Sequence, residues 1–119
     1  MTATDTVRAM FDAYRAQDLA AAEALVAEDF VFTSPRDDRI DRAAYFARCF
    51  PTAERFARQE ILQAVPGEGE DVFVLYEYDL ADGGTYRNAE VLTVRDGRVV
   101  ETQVFFGGEI TGSQPVTAP

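Results

Sequence analysis

The sequence predicts an α+β domain in which three helices precede a mostly antiparallel sheet. Residues 1–50 are rich in alanine and other helix formers, whereas residues 56–107 are rich in valine, phenylalanine, tyrosine and threonine. Helices followed by consecutive strands are typical of this fold class. The chain has 119 residues, the size of one domain. We expect a single domain over 1–108 and a poorly ordered tail over 109–119, because the tail has small residues, proline and no periodicity.

Apolar spacing and polar caps predict the three helices. One stripe of the first helix follows i, i+3, i+4, i+7 spacing and comprises Val7, Met10, Phe11 and Tyr14. Asp18 is placed to cap a second helix, and Asp41 to cap a third that runs through Phe50 and ends at Pro51. The inner face of the second helix would carry Leu19, Ala22, Leu25 and Val26.

Five strands are predicted, one between the second and third helices and four in the second half. Residues 29–33 alternate and predict a short strand, whereas the charged residues 36–39 predict an exposed loop. The later strands are separated by glycine-containing turns and cover 56–65, 72–80, 85–95 and 98–106. Among these turns Asp96-Gly97 is the strongest short hairpin signal.

The charge balance and the missing residue types exclude several functions. With 21 acidic residues against 11 basic ones, the net charge is −10, which disfavours nucleic acid and anionic membranes as partners. Every basic residue is arginine, since the sequence has no lysine and no histidine. These absences exclude a lysine Schiff base, a histidine-activated nucleophile and a histidine-ligated zinc. We therefore expect neither a metal nor a cofactor.

Cysteine usage and hydropathy predict a cytoplasmic protein. The single cysteine, Cys49, permits no internal disulfide. The first ten residues carry an acid and no apolar targeting segment. No apolar run approaches the ~20 residues that span a bilayer.

Strand alternation predicts which side chains face the interior of the fold. Glu77 and Asp79 must face water, so the residues between and beside them on that strand face inward. The expected interior face comprises Val74, Tyr76, Tyr78, Tyr86, Asn88, Glu90, Leu92, Val94, Val100, Thr102, Val104 and Phe106. The opposite face would expose an apolar patch of Phe73, Leu75, Val91 and Phe105, which predicts a homodimer.

Glu90 is the candidate acid/base residue because its strand places it among apolar side chains. An unpaired carboxylate in such a place raises its pKa and binds a proton. The alternatives are a register one residue off, or a fold-stabilising pair with a buried arginine such as Arg42 or Arg48. Asn88, two residues away on the same face, could supply a second donor.

The tyrosines permit two interpretations. Tyr76 and Tyr78 could bracket an oxygen of a planar ligand, or they could form an aromatic core with hydroxyls at its rim. The phenol of Tyr14 could donate to a ligand, or Tyr14 could be a core residue with its hydroxyl near the surface.

Two stretches of sequence resemble a known family. The opening VRAMFDAYRAQDLAAAEALVAEDFVFTSP and the ending EVLTVRDGRVVETQVFFG resemble the SnoaL-like and ketosteroid-isomerase-like group of the nuclear-transport-factor-2-like (NTF2-like) superfamily, over about residues 5–108. The resemblance implies a curved mixed sheet wrapped around a long helix, forming a cone with an apolar pocket. It also implies that the convex side of the sheet often forms a dimer. The family includes isomerases, cyclases, epoxide hydrolases, dehydratases and domains without catalysis, so the fold alone does not select a reaction.

The ketosteroid-isomerase branch offers three chemical positions for comparison. The resemblance places its oxyanion-stabilising acid on Glu90, its general base on Ser34, which precedes Pro35, and its oxyanion tyrosine on Met10. Two of the three positions therefore lack the required group, which argues against the usual isomerase mechanism. Branches that use Asp-His pairs lack their histidine here. The Asp-Arg-Asp set of limonene epoxide hydrolases would need a second interior acid, which strand alternation does not supply.

These observations lead to two functional hypotheses. The first is a small cofactor-free enzyme that isomerises, cyclises or hydrolyses a neutral lipophilic ring compound of the polyketide, steroid or terpenoid type by proton transfer. The second is a non-catalytic ligand-binding or dimeric scaffold domain. An open pocket that reaches Glu90 favours the enzyme. The expected site has Glu90 as its catalytic residue and, as substrate-binding residues, Tyr14, Ser34, Tyr76, Tyr78, Tyr86, Asn88, Val104 and Phe106.

Overall fold

Three α-helices pack on one face of a six-stranded mixed sheet. The computed structural model describes residues 1–112. Its helices are α1 (Ala3–Ala16), α2 (Leu19–Leu25) and α3 (Arg42–Arg48), with a 3-10 helix over Phe50–Arg55. Its strands are β1 (Val26–Ser34), β2 (Asp37–Asp41), β3 (Phe56–Pro66), β4 (Asp71–Leu80), β5 (Thr85–Arg95) and β6 (Arg98–Glu109).

The strand order confirms a mostly antiparallel sheet with one parallel step. The order is β2-β1-β6-β5-β4-β3, and only the β1–β6 pair is parallel in the described part of the chain. The segment between β1 and β6, which comprises β2, α3, the 3-10 helix and strands β3 to β5, is long enough to let β6 run parallel to β1. Asp96 and Gly97 both have positive φ, as a tight turn between β5 and β6 requires.

Both predicted caps are present at the helix starts. The carboxylate of Asp18 accepts from the Ala21 N–H at 3.1 Å, and that of Asp41 accepts from the Ala44 N–H at 2.9 Å. Each aspartate satisfies an N–H group that the first helical turn leaves without a partner.

The structure corrects the expected loop over residues 36–39. Residues 37–41 form β2, whose Ile40 pairs with Phe32 of β1. The charges are compatible with a strand because β2 is the last strand in the sheet order, where one side has no neighbouring strand. The expected end of the third helix at Pro51 is also wrong, since the proline lies in the first turn of the 3-10 helix.

Three details of the predicted interior faces are wrong as well. Leu19 is 48% exposed, and Val26 belongs to β1 and not to α2. A register shift between Thr93 and Val94 buries Val99 in place of Val100.

Strand β6 continues through the Gly107-Gly108 pair to Glu109, one residue into the predicted tail. Residues 113–119 of that tail lie outside the described residues.

The core lies between α1 and the concave face of the sheet. Its α1 residues are the predicted stripe, of which Val7, Met10 and Phe11 are buried and Tyr14 is partly buried. Its sheet residues include Val72, Val74, Tyr76, Leu92, Val94, Val99 and Val104. No helix in residues 1–112 is long and apolar enough to span a membrane.

Candidate functional site

A cavity of about 570 Å³ lies between α1, α3 and the concave face of the sheet. Its volume is within the range of small-molecule pockets. All nine predicted site residues contribute to its lining, namely Tyr14, Ser34, Tyr76, Tyr78, Tyr86, Asn88, Glu90, Val104 and Phe106. The cavity therefore brings together residues from α1, β1, β4, β5 and β6.

The exposure of the lining residues distinguishes a floor from a mouth. The buried lining residues are mostly apolar or aromatic and include Met10, Phe11, Val26, Phe30, Phe32, Tyr45, Leu92 and Val99. The exposed ones are Arg36, Arg48, Arg55, Phe106 and Gly107. Phe106 is 49% exposed, so it forms part of the rim and not of the inner wall where alternation places it.

Glu90 is a carboxyl group without an ion-pair partner among the described residues. Burial raises its pKa to about 8, against the smaller lowering effect of a 3.4 Å hydrogen bond that Tyr76 Oη donates to its Oε1. The alternative ion pairs are absent, since Arg42 donates to the Glu23 carbonyl and Arg48 pairs with Asp37 at 3.3 Å. Glu90 is thus mostly protonated at neutral pH.

Asn88 sets the direction of a hydrogen-bond chain that ends at Glu90. Its Oδ1 accepts from the Gly107 N–H at 3.2 Å and from Tyr78 Oη at 3.4 Å. Because these donors define Oδ1 as the acceptor, its Nδ2 donates to Tyr76 Oη at 3.1 Å. Tyr76 therefore directs its own proton to Glu90. In this arrangement the Asn88 amide orients the Tyr76 hydroxyl, a contact that the expected substrate-binding role did not include.

Gly107 permits the close approach of β5 and β6 on which the hydrogen bond to Asn88 depends. A Cβ at this position would overlap the backbone carbonyl oxygen of Arg87 on β5. The β5–β6 register shifts at this point, between the pairs Tyr86–Glu109 and Asn88–Phe106. A residue without a side chain is consequently required where the Gly107 N–H reaches Asn88.

Aromatic rings form one side of the cavity. The Tyr78 and Tyr86 rings are stacked, with centroids 5.5 Å apart and planes 14° apart, and Tyr76 lies 6.0 Å from Tyr78. Phe56 meets Tyr78 edge to face at 5.0 Å. This wall therefore combines the apolar carbons of the rings with phenol oxygens.

The Tyr14 hydroxyl donates its proton to another side chain of the protein, Thr52. Thr52 Oγ1 donates to the Cys49 carbonyl at 2.7 Å, so Tyr14 Oη donates to Thr52 Oγ1, also at 2.7 Å. Burial raises the pKa of Tyr14 to about 12. The oxygen of Tyr14 remains able to accept a hydrogen bond from a ligand.

Ser34 lies on the cavity lining at the end of β1. Its Oγ accepts from the Arg36 N–H at 3.1 Å, which stabilises the turn into β2. Cys49 also lines the cavity, and burial raises the pKa of its thiol to about 11, which disfavours a thiolate nucleophile.

Sequence reasoning missed several polar lining residues. Asp37, Arg48, Arg55, Thr52 and Gln59 all reach the cavity. Asp37 supplies the second acid that alternation could not place, because its stretch was assigned to a solvated loop. The signal that could have identified it is the apolar Ile40, which is followed by the helix cap Asp41. Among residues 1–112, no group of three or more histidine, cysteine, aspartate or glutamate side chains could hold a metal ion.

A profile of the SnoaL-like domain matches residues 7–102, most of the chain. This chain belongs to the SnoaL-like domain family. No curated protein matches this SnoaL-like sequence. A crystal structure from Kribbella flavida is similar, with 28% identity, a TM-score of 0.75 and coverage of 86% of this chain and 84% of that one.

Other solved structures share the fold of this SnoaL-like domain at lower identity. An NTF2-like protein from Cytophaga hutchinsonii has 21% identity and a TM-score of 0.72, covering 89% of this chain and 90% of that one. An epoxide hydrolase from M. tuberculosis has 19% identity and a TM-score of 0.69, covering 87% and 81%. The α+β cone implied by the sequence resemblance is thereby confirmed.

Proposed function

We propose that this SnoaL-like domain is a cofactor-free enzyme that transfers a proton on a lipophilic ring compound. The observation that carries the proposal is Glu90, a carboxyl group with a pKa near 8 on the lining of an apolar cavity. The reaction class is isomerisation, cyclisation or hydrolysis, and the substrate is of the polyketide, steroid or terpenoid type. The epoxide hydrolase of similar fold is consistent with this range of chemistry.

Glu90 would act first as a hydrogen-bond donor. In its acid form it donates to a carbonyl, hydroxyl or ether oxygen of the substrate and stabilises negative charge that develops there. Low polarity around the carboxyl group strengthens this bond, since water competes less for it. Tyr76 donates to Oε1, so the second carboxyl oxygen is the one that serves the substrate.

The ionised fraction of Glu90 would act as the base. A group with a pKa near 8 is divided between acid and base forms close to neutral pH, as general acid–base catalysis requires. Ser34, at the position of the base in the ketosteroid-isomerase branch, has no histidine or lysine to activate it, because the sequence contains neither. Glu90 is accordingly the one residue to which both proton steps are assigned, and they follow one another. Transfer of its proton to the substrate oxygen leaves the carboxylate, which then takes a proton from a carbon of the substrate and returns to the acid form.

The open cavity favours the enzyme over a non-catalytic scaffold. A scaffold has no need for a space of about 570 Å³, and large side chains would be expected to fill it. The alternative function is binding of the same ligand class without turnover. A homodimer through the convex sheet face is compatible with both, and we propose it on the exposure of Phe73, Leu75 and Phe105.

The test is a substrate screen followed by Glu90→Gln. Conversion of ring ketones, epoxides and polyketide-like aromatics would be measured by chromatography, and binding by the thermal shift. For any activity found, Glu90→Gln should lower kcat by about 10²–10⁴-fold, the usual contribution of general acid–base catalysis. Glu28→Gln, an exposed glutamate on β1, is the control that should leave kcat unchanged. Full activity of Glu90→Gln would refute the assigned role.

A further inference from the structure

The mouth of the cavity carries positive charge although the protein is strongly acidic. Three of the 11 basic residues, Arg36, Arg48 and Arg55, line the cavity, against 21 acidic residues in the chain of which Asp37 and Glu90 reach it. Glu90 is mostly neutral at pH 7 because its pKa is near 8. Three guanidinium groups therefore face one carboxylate, a net charge of about +2 on the lining of a molecule that carries −10.

Two of these arginines form no ion pair in the described part of the chain. Arg48 pairs with Asp37 at 3.3 Å, whereas Arg36 and Arg55 take part in no ion pair within residues 1–112. Glu109 lies just beyond the lining, where its Oε1 accepts a 3.3 Å hydrogen bond from Tyr86. Other charge networks of the sheet, such as Arg58 with Glu77 and Asp79, belong to residues outside the lining.

The local charge decides the attraction of a ligand at ordinary salt concentrations. The Debye length is about 10 Å at 0.1 M ionic strength, so the remote acids of this chain are largely screened at the mouth. A guanidinium group presents parallel donors that match a carboxylate. The floor of the cavity is apolar and would exclude a charged group.

We infer that the ligand of this cavity is an amphipathic acid whose rings occupy the floor and whose carboxylate binds Arg36 or Arg55 at the mouth. The oxygen that meets Glu90 then lies at the opposite end of the ligand from the carboxylate. Only the buried part of the ligand has to be neutral, because the arginines of the lining lie in the β1–β2 connection, in α3 and in the 3-10 helix and not on the strands. The inference rests on the proposed function, because it takes the ring-binding cavity as given and adds the charge that selects its ligand.

Calorimetry with matched probes tests the inference. The probes are a hydroxynaphthoate whose hydroxyl and carboxylate lie on opposite rings, its methyl ester, and the corresponding aminomethyl naphthol. At pH 7 and about 0.1 M ionic strength, the carboxylate should bind the unaltered protein about tenfold tighter than the ester, and the ammonium compound should bind most weakly. In the double variant Arg36→Gln and Arg55→Gln, carboxylate and ester should differ by less than about twofold.

Control variants separate the outcomes. Arg98→Gln changes an exposed arginine outside the lining and should keep the full preference for the carboxylate. Ester binding that equals or exceeds carboxylate binding overturns the inference and leaves the proposed function standing. A preference that persists in the double variant overturns the assignment to Arg36 and Arg55. Failure of all three probes to bind the unaltered protein contradicts ring binding itself, and with it both proposals.

Discussion

Two glutamates on neighbouring strands illustrate how environment decides chemistry at the scale of a residue. Glu77 faces outward on β4, where Arg87 and Arg58 hold the pKa of its carboxyl below the ordinary value. Glu90 faces inward on β5, where burial raises its pKa to about 8. The same side chain is therefore a permanent anion on one face of the sheet and a proton donor on the other.

The Glu90→Gln substitution should change how stability depends on pH. A carboxyl group whose pKa is higher in the folded state favours folding while it is protonated, and this contribution is lost as pH rises from about 4.5 to about 8. The substitution removes that loss, so the variant should gain stability relative to the unaltered protein over this range, by up to a few kcal/mol. Urea unfolding of both proteins at pH 5 and pH 8 measures the difference in unfolding free energy.

The control for this pH effect is Glu28→Gln, which replaces an exposed carboxyl group. The difference in unfolding free energy between this variant and the unaltered protein should stay nearly constant from pH 5 to pH 8. If Glu90→Gln followed the same course, Glu90 would have an ordinary pKa and would lose its candidacy as the acid.

Asn88→Leu should disrupt the hydrogen-bond chain from Gly107 to Glu90. The substitution leaves the oxygen of the buried Tyr76 without its donor Asn88, which is also buried, and removes the acceptor of the Gly107 N–H. Loss of partners for buried polar groups should lower the unfolding free energy by about 1–3 kcal/mol. Gln63→Leu, at an exposed position on β3, is the comparison and should change it by less than about 0.5 kcal/mol. Equal stability of the two variants would contradict the hydrogen-bond chain from Gly107 to Glu90.

At the scale of elements, the junction of β5 and β6 connects sheet geometry to the site. The register shift beside Asn88 brings Gly107 against the backbone of Arg87 and directs its N–H to the Asn88 amide. In a regular antiparallel pair this N–H would donate to a backbone carbonyl of β5, and the Asn88 side chain would lose the hydrogen bond from it. The irregularity thus orients the Asn88 side chain, which is connected to Glu90 through the Tyr76 hydroxyl.

The two adjacent glycines of β6 provide a matched pair of variants. Gly107→Ala places a methyl group on the Arg87 carbonyl and should lower the unfolding free energy by about 1–3 kcal/mol, as overpacking does. Gly108→Ala meets no atom within 4 Å and should be neutral or slightly stabilising. Thermal unfolding of both variants makes the comparison. A similar melting temperature for the two would show that the strands can separate at Gly107 without cost.

At the scale of the whole molecule, the sheet has one occupied face and one exposed apolar face. The concave face covers α1 and the cavity, whereas Phe73, Leu75 and Phe105 of the convex face are between 40% and 55% exposed. Exposed apolar patches of this kind are typical of protein–protein contacts. The tyrosines, Asn88 and Glu90 lie on the opposite face, so dimerisation through the convex face would leave the cavity open.

The homodimer is tested by sedimentation at micromolar concentration. We expect the unaltered protein to sediment as a dimer and Phe73→Arg to shift it to the monomer, because a charge in the patch cannot be buried without a partner. Leu19→Arg alters an equally exposed apolar residue on α2 and should leave the dimer intact. A monomeric unaltered protein would contradict the assembly and would not affect the assignment of Glu90.

Local sequence patterns were sufficient to predict the helix stripe, the two aspartate caps and the strands that carry the site. Period-two alternation was sufficient for Tyr76, Tyr78, Asn88 and Glu90, because a buried strand must direct one set of side chains inward. It failed where the backbone departs from that period. The shift near Val94 places Val99 inward in place of Val100. Charge was also misleading, since the charged residues 37–41 form the edge strand β2 and not a loop.

The surroundings of these side chains depend on tertiary packing. Arg36, Asp37 and Arg55 lie far from Glu90 in sequence and line the same cavity, because folding brings the β1–β2 connection and the 3-10 helix to the cavity that β5 also lines. The absence of an arginine beside Glu90 in the described residues also depends on that packing. Local patterns report the face on which a residue lies, whereas its pKa and its partners depend on segments that only folding brings together.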